Sequence, residues 1–241
     1  MNLLLLEDAD FDQAAASGTR AVVFGERLKH VRKVLRAEVG ETLEVGRLGG
    51  GIGRGRIVEV NRERVVLELG PLDREPPAPL PVTLVLALPR PKFVGRILQA
   101  AAAMGVKRIL LVHTARVEKS YWNSSVMRPE SLRRHLMLGL AQARDAALPE
   151  IECLSGPRDL TDALPGLVQD HERVLVADAS GAEPCPLGVD GPTALLVGPE
   201  GGLLDEELAL YGNAGATVVS LGPRALRVEH AVVALLSRLA I

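Results

Sequence analysis

Two stretches near the end of the chain constrain its fold more than any other feature. The first is Leu195-Leu196-Val197-Gly198-Pro199-Glu200-Gly201-Gly202-Leu203, and the second is Leu221-Gly222-Pro223-Arg224-Ala225-Leu226-Arg227-Val228-Glu229-His230-Ala231. Each is a short apolar run that stops at a turn rich in Gly and Pro and then enters a helical pattern. A buried parallel strand delivers a loop to the carboxyl edge of a sheet in this way, and open α/β folds bind ligands at that edge. Glycine carries no side chain to hold a ligand away, so such loops offer bare backbone for close approach.

The chain ahead of these loops changes character once. From the start to about Gly70, short apolar runs at Thr42 to Val45, Arg56 to Val60 and Val65 to Leu69 sit between Gly-rich turns, as in a small β-barrel or sandwich. The tract Gly49-Gly50-Gly51-Ile52-Gly53-Arg54-Gly55 fits no GxGxxG register and precedes a strand pattern, so it reads as a flexible hairpin loop. Clustered prolines from Pro71 to Pro81 hold the chain extended and mark a boundary. Beyond it, strands alternate with helices. Strands are expected at Val82 to Leu88, Arg108 to His113, Ile151 to Leu154, Arg173 to Ala177, Thr193 to Val197 and Thr217 to Leu221. Helices are expected at Phe93 to Met104, Pro129 to Ala146, Asp159 to Val168, Leu204 to Tyr211 and Leu226 to Leu239. That alternation predicts a mostly parallel sheet covered on both faces.

Charge and composition narrow the function. A formal net charge of -2 gives no general affinity for polyanions, so nucleic-acid binding has to come from a local patch. One candidate is Arg27 to Arg36, where Leu28, Val31 and Leu35 recur at helical spacing and Lys29, Arg32, Lys33 and Arg36 fill the other face. It reads either as a solvated helix face or as a phosphate-contacting patch. Cys153 and Cys185 form no metal-ligand spacing and no disulfide framework, and no metal site is expected. The opening apolar run ends at Glu7, too short for a signal segment, and no stretch approaches a membrane span, so a cytoplasmic protein is expected. Phe11, Phe24, Phe93, Tyr121, Trp122 and Tyr211 are few, which argues against a base-stacking platform.

No G-x-S-x-G elbow or P-loop lysine is present, and His113, His135 and His171 are scattered. The absence of GxGxxG argues against a nucleotide-cofactor oxidoreductase. Val197 to Gly202 alone is compatible with a simple tight turn. Arg224 and Arg227, however, oppose the dipole of the helix they introduce, and residues set against local preference are expected at functional sites.

The paired carboxyl-terminal motifs resemble the RsmE-type 16S rRNA (uridine-N3) methyltransferase family of the SPOUT superfamily. Its first motif reads GPEGG after a strand, like Gly198 to Gly202. Its second resembles Leu221, Gly222, Arg224, Leu226, Arg227, Glu229 and Ala231. The likeness extends to His30 to Arg36 with Gly40, to Ile97-Leu98-Gln99 with Gly105-Val106, to Thr114 with Arg116, and to Gln142 with Pro149. It implies a PUA-like RNA-binding β-barrel over residues 1–72, a Pro-rich linker over 73–81 and an α/β trefoil-knot methyltransferase domain over 82–241.

By the same resemblance the cosubstrate is S-adenosyl-L-methionine, without a metal. Leu196, Val197, Gly198, Pro199, Glu200, Gly201, Gly202, Leu221, Gly222 and Leu226 would hold it. Arg227 and Glu229 would serve catalysis, with Glu229 orienting Arg227, capping the helix or acting as base, and His230 a further candidate base. Lys29, Arg32, Lys33, Arg36, Arg116 and Gln142 would contact RNA. The implied partners are 16S rRNA or the small subunit and a second copy in a homodimer. The chain departs from the family pattern at Ala100, Ala103, Ala115, Asp145, Val228 and His230. Those departures leave a catalytically silent rRNA-binding or ribosome-assembly protein as the alternative.

Overall fold

In the computed structural model, residues 2–12 and 19–241 are described, and they fall into two compact units. The first comprises Met1–Pro77 together with Leu140–Leu148, and the second Ala78–Gly139 with Pro149–Ile241.

Five strands build the first unit: β1 (Leu4–Leu6), β2 (Arg20–Val23), β3 (Thr42–Arg47), β4 (Ile52–Val60) and β5 (Val65–Leu69). They pair in the order β1-β3-β4-β5-β2, with β1 parallel to β3 and the other pairs antiparallel. A register shift between Ile57 and Glu59 bends β4, as a bulge does, and the sheet curls into a half-barrel. Leu4, Leu6, Val23, Leu43, Val45, Ile57 and Leu67 close over its inside. Helix α1 (Gly25–Lys29) continues as a wider π-type turn over His30–Leu35 and stops at Arg36, which adopts a left-handed φ of 52°. Leu28 and Val31 are buried, as their spacing predicts, while Lys29, Arg32, Lys33 and Arg36 are exposed. Arg27 points inward instead. Its guanidinium binds both carboxylate oxygens of the buried Asp10 and the Leu5 carbonyl.

The glycine tract is not a loop throughout. Gly53 and Gly55 lie inside β4, paired with Val45 and Leu43. A Cβ on Gly53 would stand 2.1 Å from the Pro71 carbonyl oxygen, so glycine there admits the backbone of the Pro-rich stretch, bridged through Ile52 and Arg74. The first unit also takes in Leu140–Leu148, a segment that no sequence boundary marks. Within it Asp145 is buried and accepts the Ala147 amide at 2.8 Å, closing its own turn, and Gln142 is exposed.

The second unit is a seven-stranded sheet, all parallel, in the order β10-β12-β9-β11-β6-β7-β8. The strands are β6 (Val82–Ala87), β7 (Arg108–Val112), β8 (Glu150–Leu154), β9 (Arg173–Ala177), β10 (Glu183–Pro184), β11 (Thr193–Val197) and β12 (Thr217–Ser220). Every residue of the central β6 and β11 is buried, as strands covered on both faces require. The helices are α2 (Pro91–Ala103), α3 (Pro129–Ala143), α4 (Asp159–Asp170), α5 (Asp205–Asn213) and α6 (Val228–Leu239). Val94, Ile97, Leu98 and Ala101 form the buried stripe of α2, and Val232, Leu235, Leu236 and Leu239 that of α6. No helix of the described residues is long and apolar enough to cross a membrane.

Strand β12 enters between β9 and β10, although residues 178–182 join those two directly. The strap that follows runs along the end of α6. Gly188 and Val189 donate their amides to the Arg238 and Leu239 carbonyls at 2.8 and 3.0 Å. Those carbonyls belong to the last turn of a helix, which has no partner of its own for them. Arg238 returns two bonds to the Cys185 carbonyl, at 2.9 and 2.6 Å. The last strand thus lies between two strands that precede it, and the last helix is held against the segment between β10 and β11, as in an α/β trefoil-knot domain, an arrangement that connectivity rules make rare.

Gly53→Ala should destabilise the first unit by about 1–3 kcal/mol through overpacking against Pro71, read as a lower urea midpoint. A second expectation concerns His135, whose Nδ1 lies 3.0 Å from Gln99 Nε2. Burial, then the charge of Arg134, hold its pKa below the ordinary value of 6.5. Above that value native and unfolded chains are both neutral here. As pH falls below about 6.5 the unfolded chain takes up the proton first, so stability declines until the native ring titrates as well. His135→Gln should flatten that part of a stability profile measured between pH 5 and 7.

Candidate active site

Because all seven strands run the same way, the segments leaving β6, β7, β9, β11 and β12 emerge at one edge. A cavity of about 390 Å³ opens there between the loops after β9, β11 and β12, within the range typical of small-molecule sites. Ala177, Val197, Val219, Ala231 and Leu235 give it apolar walls. Gly198, Pro199, Glu200, Gly202, Leu221, Gly222 and Leu226 also line it. Gly222 has a φ of +102° and no atom within 4 Å of where a Cβ would stand, so any other residue would be strained and would narrow the space.

Two candidate residues of the first loop lie elsewhere. Leu196 is buried within β11, and Gly201 is outside the cavity lining. The Gly201 carbonyl accepts a hydrogen bond from Arg116 Nη1, which also reaches the Leu203 carbonyl at 3.4 Å. Glu207 ties the same segments together, since its two oxygens accept the amides of Ala115 and Leu204 at 2.9 and 2.8 Å. Arg116, read from the sequence as an RNA contact, therefore braces the glycine loop. On the other side Glu200 Oε1 accepts the Arg90 amide at 3.0 Å, holding the loop to the start of α2.

Arg227 is the residue from which α6 starts, and it makes no side-chain cap. With Arg224 it lines the cavity, exposed, and neither forms an ion pair among the described residues. Glu229, in the first turn, is placed well for the helix dipole. Its Oε2 is buried without a hydrogen-bond partner, and no ion pair joins it to Arg227 among the described residues. Among the described residues, the other buried side-chain oxygens in that condition are Thr114 Oγ1 and Ser124 Oγ, both on the segment after β7. Buried polar atoms are rarely left unpaired, and all of these lie on segments leaving the same sheet edge. His230 is exposed.

Asp178 was missed by the sequence reading. It lines the cavity from the end of β9, and its Oδ1 accepts the Ser180 amide and hydroxyl at 2.8 and 2.7 Å. The strand Arg173–Ala177 is visible in the sequence, but its place between β11 and β12 is not, so nothing drew attention to its end. The remaining candidates, Lys29, Arg32, Lys33, Arg36 and Gln142, belong to the first unit. Lys29 is paired with Glu26, just outside the basic run.

Residues 76–240 match the family model described as an RNA methyltransferase domain. The chain is 29% identical to the ribosomal RNA small subunit methyltransferase E of Treponema pallidum, over 97% of this chain and 88% of that protein. It is 32% identical to the protein of the same name from Mycobacterium bovis, over 91% and 86%. Among solved structures, it shares its fold with a ribosomal RNA small subunit methyltransferase E from Neisseria gonorrhoeae bound to S-adenosyl methionine. That likeness has a TM-score of 0.74 at 20% identity, over 98% of this chain and 95% of that one.

Replacing Arg116 by Ala should loosen the glycine loop. Loss of one to two hydrogen bonds, about 1 kcal/mol, predicts amide exchange at Gly202 and Leu204 roughly fivefold faster, read by hydrogen–deuterium exchange.

Proposed function

Because the chain belongs to the ribosomal RNA small subunit methyltransferase E family, we propose that it transfers a methyl group from S-adenosylmethionine to N3 of a uridine in small-subunit (16S) ribosomal RNA. One observation carries the reading at the level of residues. A cavity walled by backbone-rich loops is lined by Arg224 and Arg227, neither in an ion pair among the described residues, and the helix that Arg227 opens carries Glu229, whose Oε2 is buried without a partner.

The residues fit the cosubstrate. Val197, Val219 and Leu235 supply apolar surface for an adenine ring and a thioether, and the open backbone at Gly222 allows close approach. Asp178, with one oxygen held by Ser180, keeps the other for ribose hydroxyls. When bound, S-adenosylmethionine supplies an electrophilic methyl group on a sulfonium. The protein's own task is to make the uracil nitrogen nucleophilic and to hold it in line. Arg227 offsets the negative charge that spreads onto the uracil carbonyl oxygens as N3 loses its proton, and Glu229, in the first turn of the same helix, takes that proton. No role falls to His230.

Exposed Arg32, Lys33 and Arg36 on the first unit suit phosphate contacts, and Gln142 adds a polar group on the same unit. A homodimer is in keeping with Leu210, Leu226 and Val233, which are 43%, 48% and 40% exposed on the knotted unit. A ribosomal RNA substrate is in keeping with a cytoplasmic location.

The test combines calorimetric titration with S-adenosylmethionine and methylation of undermodified small subunits, read at uridine N3 by mass spectrometry. Arg227→Ala should lower transfer on the order of 10²-fold or more while sparing cosubstrate affinity. Glu229→Gln should lower kcat roughly 10²- to 10⁴-fold. Turnover unchanged in either variant would remove that residue from the mechanism.

A further inference from the structure

The segment between β7 and α3 holds a feature that methyl transfer alone does not use. The chain is poor in aromatic side chains, yet Tyr121 and Trp122 are adjacent, on a short 3₁₀ turn over Lys119–Asn123. Both are half-buried. The parallel register brings this segment to the edge where the cavity opens. Arg116, Ala115 and Arg90 fasten its surroundings to the loop that holds Glu200 and Gly201.

Each ring is held in place. Trp122 Nε1 donates to His113 Nδ1 at 3.1 Å, and His113 is anchored at the end of β7 by its amide bond to the Leu154 carbonyl at 2.9 Å. The Tyr121 hydroxyl donates to Glu118 Oε1 at 2.8 Å, with the Arg90 guanidinium beside it. Exposed Arg90, Lys92, Lys119 and Arg128 lie on the same or the neighbouring segment and outnumber Glu118 there, so the surroundings favour a polyanion. The unpartnered hydroxyls of Thr114 and Ser124 belong to this segment too, which is unlike a loop kept for packing alone. Rigid aromatic side chains next to guanidinium groups recognise unstacked bases, because every base has a face to stack.

We propose that Tyr121 and Trp122, braced by His113 and Arg90, form the wall that receives the target uracil once it leaves its stack. The inference rests on the methyltransferase reading above. It makes the two aromatics positioning residues, since neither touches a transferred atom, and it predicts a defect in RNA capture rather than in cosubstrate binding.

Trp122 is the single tryptophan, so intrinsic fluorescence reads this position alone. With S-adenosylhomocysteine bound, saturating small-subunit rRNA transcript should quench its emission, whereas S-adenosylhomocysteine alone should not. Trp122→Ala should raise KM for undermodified small subunits roughly 10-fold or more, with S-adenosylmethionine affinity unchanged. Trp122→Phe, which keeps a stacking face but loses the bond to His113, should restore KM to within about threefold of the wild type. A KM unchanged in Trp122→Ala, an emission unmoved by saturating RNA, or a Phe variant as impaired as the Ala variant overturns the wall and leaves the reaction standing. A wild-type protein that binds S-adenosylmethionine but methylates no small subunit overturns the reaction, and the wall with it.

Discussion

The arrangement of the second unit depends on one insertion, that of β12 between β9 and β10. Strands that follow one another usually lie side by side. Here β9 gives up that place to a strand formed later, and the loops after β9, β11 and β12 are gathered along one short stretch of sheet edge. The insertion is held by parallel ladders to β9 and β10, and the end of α6 is closed where the strap amides of Gly188 and Val189 meet carbonyls the helix cannot satisfy. A helix that begins at the cavity with Arg227 is therefore fixed at its far end by the chain that borders the cavity on its other side.

Much of this was legible in the sequence, and the parts that were not share a cause. Arg173–Ala177 and Thr193–Val197 are strands with the bounds their apolar runs predict, and Val82–Ala87 differs by one residue. Such runs record burial, which is local. The order of strands is not local, so the end of β9 and Asp178 went unnoticed as part of the cavity. The two-residue β10 has no periodicity to detect. The glycine tract was misread because Gly53 is required by a contact with Pro71, which the sequence cannot reveal. Arg116 shows the same limit: the resemblance implied an RNA contact, and its hydrogen bonds to the backbone of the glycine loop were not legible in the sequence.

The electrostatics follow from placement rather than totals. A chain with a formal charge of -2 still presents Arg224 and Arg227 unpaired at the cavity and Arg32, Lys33 and Arg36 on the curled sheet's unit. The acids are occupied elsewhere: Asp10 with Arg27, Glu59 with Arg64, and Glu207 with two backbone amides. The free cations are what a polyanionic partner meets. Glu229 differs from these: its Oε2 is buried without a hydrogen-bond partner.

The clasped helix also changes what persistence means for this protein. In an ordinary helix the terminal turn frays easily. Here the last turn of α6 is tied to the strap, so it opens only when the bonds from Gly188 and Val189 and those of Arg238 to the Cys185 carbonyl break together. Local opening of that helix end is then coupled to opening of the strap rather than independent of it. A helix that would otherwise loosen from its free end is in this way kept whole from the cavity to its last residue.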